Sequence, residues 1–143
     1  MGNLKDRALR AAERFLGHRG YDVVGTAYKF QDGGQIDIVA EDGDALVFID
    51  VKARRDTDKG FPSDSITGRT RERREKAAVQ WFKSEGMGYR DRPFRFDNIS
   101  LLVLGADRAL IRHTINAMGC ASCAPAEFEP EPALEPELAC ATA

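Results

Sequence analysis

Residues Gly33 to Arg55 read GGQIDIVAEDGDALVFIDVKARR. Two apolar runs, QIDIVA and ALVFIDVKA, flank EDGD, whose Asp-Gly pair suits a tight hairpin turn. Strand alternation sends Leu46, Phe48, Asp50 and Lys52 to one face and Val47, Ile49 and Val51 to the other. With Asp42-Gly43 at the centre of the turn, Asp37 falls opposite Phe48 and diagonal to Asp50, about 7–8 Å away at Cα. Three charged residues therefore share the face of a hairpin whose other positions belong in a core.

Two carboxylates converging where strands leave the core make a hard oxygen site, suited to Mg²⁺ or Mn²⁺. Spacing alone favours a surface ion pair between Asp50 and Lys52, with Asp37 a neighbouring solvated acid, since charged strand ends are common. The rest of the chain has to separate the two.

Working outward, LKDRALRAAERFLGHRGY is an amphipathic helix with Leu4, Ala8, Ala11, Ala12, Phe15 and Leu16 at helical spacing, ended by Gly17 or Gly20. YDVVGTAYKF is a first strand, turned by QDGG into the hairpin. Arg54 to Thr67 is a looser segment. RTRERREKAAVQWFKSEG is a second helix with Ala77, Ala78, Trp81 and Phe82 inward and Gly86 as its stop. FRFDNISLLVL and ALIRHTINA are two further strands. The order helix, three strands, helix, two strands predicts an α/β or α+β fold, one sheet with helices packed against it.

The 143 residues suit one domain, and 43% hydrophobic with 31% charged residues is ordinary for a soluble globular chain. No run approaches the ~18 apolar residues of a spanning helix, and the charged start is no signal peptide, so no membrane role and a cytoplasmic address are expected. The net charge of −2 conceals an asymmetry. From Cys120 to Ala143 there are five glutamates, four of the six prolines and no Lys or Arg. That composition predicts a disordered acidic tail, residues 120–143, behind a domain spanning 1–119. Between Lys52 and Arg95 stand 13 basic and 7 acidic residues, a stretch able to meet a polyanion. Cys120, Cys123 and Cys140 all lie in the tail; CASC has the spacing of a zinc half-site, but lacks a second ligand pair.

Five ordered pieces carry a resemblance. AAERFL (Ala11 to Leu16), RGYDVV (Arg19 to Val24), GQIDIVA (Gly34 to Ala40), ALVFIDVKAR (Ala45 to Arg54) and FRFDNI (Phe94 to Ile99) follow the pattern of the YraN-type family. That family of small bacterial proteins resembles the PD-(D/E)XK nuclease superfamily, which includes Holliday-junction resolvases. The likeness spans roughly residues 4 to 118. It implies a restriction-endonuclease-like core, a central mixed sheet flanked by helices. It also implies metal binding by Asp37, Asp50 and the Val51 carbonyl, with Lys52 as the signature lysine and Glu13 as a helical acid facing the same site. The chemistry implied is Mg²⁺- or Mn²⁺-dependent phosphodiester hydrolysis. The chain departs from the pattern at Gln35 for a glutamate, at Ala27 for an asparagine, and near Thr70 for a lysine.

GRTRERREK places Arg69, Arg71, Arg73, Arg74 and Lys76 on the first turns of the second helix. Read alone, this is as well a solvated face laced by Glu72 and Glu75. Beside a phosphodiesterase site the arginines become phosphate contacts, following DNA structure rather than sequence. The expectations are therefore a nuclease acting on branched or damaged DNA, a weak or inactive nuclease-fold protein that binds nucleic acid, or an interaction domain whose acidic tail engages a protein.

Overall fold

The computed structural model describes residues 3–55, 60–62, 66–106 and 108–118. The acidic tail and its three cysteines lie outside the described residues, as does the boundary drawn at 119/120. The elements are α1 (Leu4–His18), β1 (Asp22–Lys29), β2 (Gln35–Asp42), β3 (Ala45–Arg54), α2 (Gly68–Ser84), β4 (Phe94–Val103) and β5 (Ala109–Thr114). A short 3₁₀ turn at Met87–Tyr89 follows α2. No described helix is long and apolar enough to cross a membrane.

One five-stranded sheet has the order β1-β2-β3-β4-β5. Three pairings are antiparallel and β3–β4 is parallel, joined by the α2 crossover, so the fold is α+β with a mixed sheet. This is consistent with the restriction-endonuclease-like core expected from sequence.

The alternation read along β3 holds. Val47, Ile49 and Val51 pack with Ala8, Ala12, Phe15 and Leu16 of α1. Leu46 and Phe48 pack with Ala77, Ala78 and Trp81 of α2 on the opposite face. Alanines on both helices bring their axes close to the sheet, and large side chains fill the space from the strands. Phe48 stands at the centre of the second layer, its ring meeting Trp81, Phe82 and Phe94 edge-on at 5.6–5.9 Å. That arrangement is the one ring quadrupoles favour.

Two details differ from expectation. The hairpin turn is Gly43-Asp44, not Asp42-Gly43, because β2 and β3 pair Asp42 with Ala45. Gly43, first in this turn, has φ +64°, a conformation that costs glycine nothing. The shift moves every cross-strand partner: Phe48 faces Val39, and Asp37 is no longer its neighbour. The last strand also ends early, at Thr114. Residues 115–118 turn, with Asn116 at φ +57°.

β2 itself changes face at one residue. Ile38 belongs to the α1 layer, whereas Ile36, two positions earlier, belongs to the α2 layer. A regular strand would keep both on one side, so the backbone rotates at Asp37. In β1, between the pairs Thr26–Ile38 and Tyr28–Ile36, Ala27 has φ +54°. The irregularity thus runs through both strands and ends at the acid.

Candidate metal and phosphate site

The β2–β3 ladder ends at Ile38–Ile49, making Asp37 and Asp50 the first residues beyond it on either strand. There the backbone of Val51, fully buried, receives partners from side chains instead. Its N–H donates to Asp37 Oδ2 at 2.8 Å. Its carbonyl oxygen accepts from Lys5 Nζ at 2.6 Å. Lys5 Nζ also donates to Asp37 Oδ2 at 3.0 Å, closing a three-membered cluster. Buried backbone polar groups need partners, and here an ion pair supplies both.

Asp37 is 6% exposed. With Asp50 it lines a cavity of about 30 Å³, together with Gln35, Arg74 and Phe96. Such a volume accommodates a water or one small ion. Burial raises the Asp50 carboxyl above its ordinary pKa, and the neighbouring Asp37 charge raises it further. The positive charges of Arg74, Lys5 and Lys52 act against both. Asp50 thus sits in a partly desolvated cleft beside a second carboxylate, the environment that holds its proton more tightly.

Arg74 forms the opposite wall. Its guanidinium donates to Asn98 Oδ1 at 2.9 Å and to the Asp97 carbonyl at 3.0 Å, and lies 5.5 Å over the Phe96 ring. Burial lowers its pKa while Asp50, Asp37 and Asp97 hold it up. An arginine stays charged through such changes, so it is a permanent cation beside Asp50.

Behind this wall lies a second polar cluster built on the FRFDNI motif. The buried Asp97 carboxylate accepts from Arg95 Nε at 3.0 Å and from the Asn116 N–H at 2.8 Å. His113 Nε2 stands 2.8 Å from its other oxygen. Burial pushes the Asp97 carboxyl up, but the bonds from His113 and Arg95 prevail, and its pKa is lowered. Ionised, Asp97 only accepts, so His113 Nε2 carries the hydrogen. Arg95 reaches on to Tyr21 Oη at 2.9 Å, and burial pushes that phenol up to about 12. Every oxygen of Asp97 is engaged within the protein, which makes this cluster a brace for β4 and β5.

Of the residues singled out in the sequence, Asp37, Asp50 and Val51 come together. Lys52 is exposed, on the same face as Asp50 and close enough to act on its charge. Glu13 does not join them. It is exposed, and at helical rise it lies about 12 Å along α1 from Lys5. Arg69 and Arg73 are exposed on α2, whereas Arg71 donates to the Met118 carbonyl and Arg74 turns inward. Among the described residues no group of three or more His, Cys, Asp or Glu gathers to hold a metal ion.

Lys5 was not anticipated. Its signal was present: it precedes Ala8 by three and Ala12 by seven, a charge on the buried stripe of α1. Arg74 carried the same kind of signal, three before Ala77 and four before Ala78.

The model of the uncharacterised protein family UPF0102 matches residues 10–101. Among curated relatives, a UPF0102 protein of Geobacter sulfurreducens is 36% identical over 115 residues, covering 73% of this chain and 88% of the relative. One from Chlorobaculum tepidum is 38% identical over 106 residues, covering 72% and 78%. One from Desulfosudis oleivorans is 40% identical over 116 residues, covering 79% and 89%. The matched span contains every residue of the cavity wall but not Lys5, and on these grounds the chain belongs to the uncharacterised protein family UPF0102, the YraN family.

Proposed function

We propose that the protein is a divalent-metal-dependent phosphodiesterase acting on DNA. The observation that carries this reading is the cluster at the open end of the hairpin. A carboxylate oxygen of Asp37 and the carbonyl oxygen of Val51 already bind one cationic group, the Lys5 ammonium, with Asp50 beside them. Those donors, completed by water and substrate phosphate, fit Mg²⁺ or Mn²⁺, which seldom take more than one or two protein carboxylates.

In this reading Asp37, Asp50 and the Val51 carbonyl hold the ion. The ion supplies charge stabilisation at the scissile phosphate and a water of lowered pKa. Lys52, at the exposed end of the same strand face, orients the attacking water or offsets charge on the phosphate. Arg74 fixes Asp50 electrostatically from within. Arg69 and Arg73, exposed on α2, contact the DNA backbone, which favours recognition of structure over sequence.

Purified protein incubated with plasmid, single-stranded and four-way-junction DNA tests this. Cleavage of at least one substrate with Mg²⁺ or Mn²⁺, lost in Asp50→Asn, is expected. No cleavage of any, or equal cleavage by the variant, would sink the hydrolase reading. A second reading, DNA binding without turnover, is favoured by Glu13 lying away from the cavity, which leaves two carboxylates there.

A further inference from the structure

We infer that Lys5 is a built-in occupant of the divalent-cation seat, and that loading metal requires its ammonium to leave Asp37 and Val51. The inference rests on the metal reading of the site and adds how that site is controlled.

The seat and the lysine use the same two oxygens. Lys5 Nζ donates to Asp37 Oδ2 at 3.0 Å and to the Val51 carbonyl at 2.6 Å. Mg²⁺ would need these oxygens at about 2.0–2.1 Å. An ammonium and a divalent ion cannot both stand there: they would compete for the same lone pairs and repel each other.

Lys5 is also placed so that it can leave. Its side chain is 43% exposed, against 6% for Asp37, so the way out is open to solvent. Its backbone stays anchored meanwhile: the Asp6 N–H donates to Asn3 Oδ1, capping α1, and Ala8 is buried in the next turn. A four-carbon stem on a fixed helix lets the charge swing without unfolding its support. When the ammonium leaves, the Val51 carbonyl loses its donor, and a cation on the same oxygen restores a partner. The exchange is therefore one cation for another at a seat that stays filled. α1 thus sets the affinity of a site formed by two strands.

A purely structural alternative is that Lys5 only satisfies Val51 and Asp37. It predicts that Lys5→Met lowers thermal stability and leaves metal affinity unchanged. The latch predicts otherwise. Mn²⁺ titration should show Lys5→Met binding at least about tenfold more tightly than the wild-type chain, the scale of removing one partly exposed competing charge. Amine labelling of the unaltered chain, read by mass spectrometry, should show Lys5 labelled faster with saturating Mn²⁺. The exposed Lys29 and Lys83 should be unaffected. This measurement stands even if the variant folds poorly. Mn²⁺ binding of equal or weaker affinity in Lys5→Met, or Lys5 labelling insensitive to bound Mn²⁺, overturns the latch and leaves the metal site standing. No Mn²⁺ bound by either chain overturns both.

Discussion

Lys5 Nζ lies 2.6 Å from the carbonyl oxygen of Val51, 46 residues away, and joins the first turn of α1 to the end of the central hairpin. This contact gives the split in the sheet its chemistry. Where β2 leaves β3, a backbone carbonyl and a carboxylate are both turned toward one positive charge.

Asp37 should matter to folding as well as to metal. Replacing it with Ala leaves the buried Val51 N–H without its acceptor, a loss of about 1–3 kcal/mol. Urea unfolding without metal measures it. Lys5→Met should cost less, about 1 kcal/mol or below, because the ammonium is partly exposed.

Asp50 should behave in the opposite sense. Its pKa in the folded chain is raised, so its contribution favours the fold at low pH and is lost as pH rises through the folded value. At neutral pH the ionised carboxylate opposes folding. Asp50→Asn should therefore stabilise the metal-free protein by on the order of 1 kcal/mol, the scale of one relieved like-charge contact. Adding Mn²⁺ should raise the wild-type melting temperature and leave the variant's unchanged. A variant less stable than wild type at pH 7, with no gain relative to it as pH rises, contradicts this assignment.

Asp97 titrates with the other sign. Its folded pKa is lowered, so its stabilisation is present above the unfolded carboxylate value and lost as pH falls through the folded one. Asp97→Ala takes the acceptor from the buried His113 and from the Asn116 N–H, while Arg95 keeps Asp42 and Tyr21, a loss of about 1–3 kcal/mol. Denaturant midpoints across acidic pH should show wild-type stability falling, while the variant, already weakened, has a flatter profile.

Ala27 offers a test of the kink. A non-glycine residue at φ +54° is strained, and asparagine tolerates that conformation better than alanine. Ala27→Asn should stabilise by up to about 1 kcal/mol, and Ala27→Val should destabilise, since β-branching is least compatible with positive φ. Equal stability of all three would mean that the strands relax without strain.

On α2, replacing the exposed Arg69 and Arg73 by Ala should weaken binding to all DNA sequences alike. The salt dependence should flatten by roughly one unit of slope per lost phosphate contact. Stability should hardly change. Arg74→Ala should instead destabilise by about 1–3 kcal/mol through the acceptors it leaves at Asn98 and Asp97. Unchanged DNA affinity in the Arg69/Arg73 variant would make that helix face merely solvated.

The element order and the two faces of β3 were legible because period-2 and period-3.6 patterns report directly on burial, and Phe48 and Ile49 leave no ambiguity about which side is which. The register was not. EDGD offers two adjacent two-residue turns, and both accept a positive φ at Gly43; the pairing of Asp42 with Ala45 is what separates them. The rotation of β2 at Asp37 was hidden too, because alanine gives no sign of positive φ, whereas the asparagine of the family pattern would have. Lys5 gives no sign of its partners, and Arg74 reads as a phosphate contact and not as an inward-turned residue, because a charge at the edge of an apolar stripe is usually solvated; their partners come from strands distant in sequence. Asp37 and Asp50 themselves stood out, since core strands seldom keep carboxylates.

Anomalous diffraction from crystals soaked in Mn²⁺ tests the central claim most directly. The account predicts one peak per chain, about 2.0–2.4 Å from oxygens of Asp37, Asp50 and Val51, with Lys5 Nζ withdrawn from Val51. No peak at those oxygens at saturating Mn²⁺, with Lys5 still bonded to the Val51 carbonyl, would contradict it.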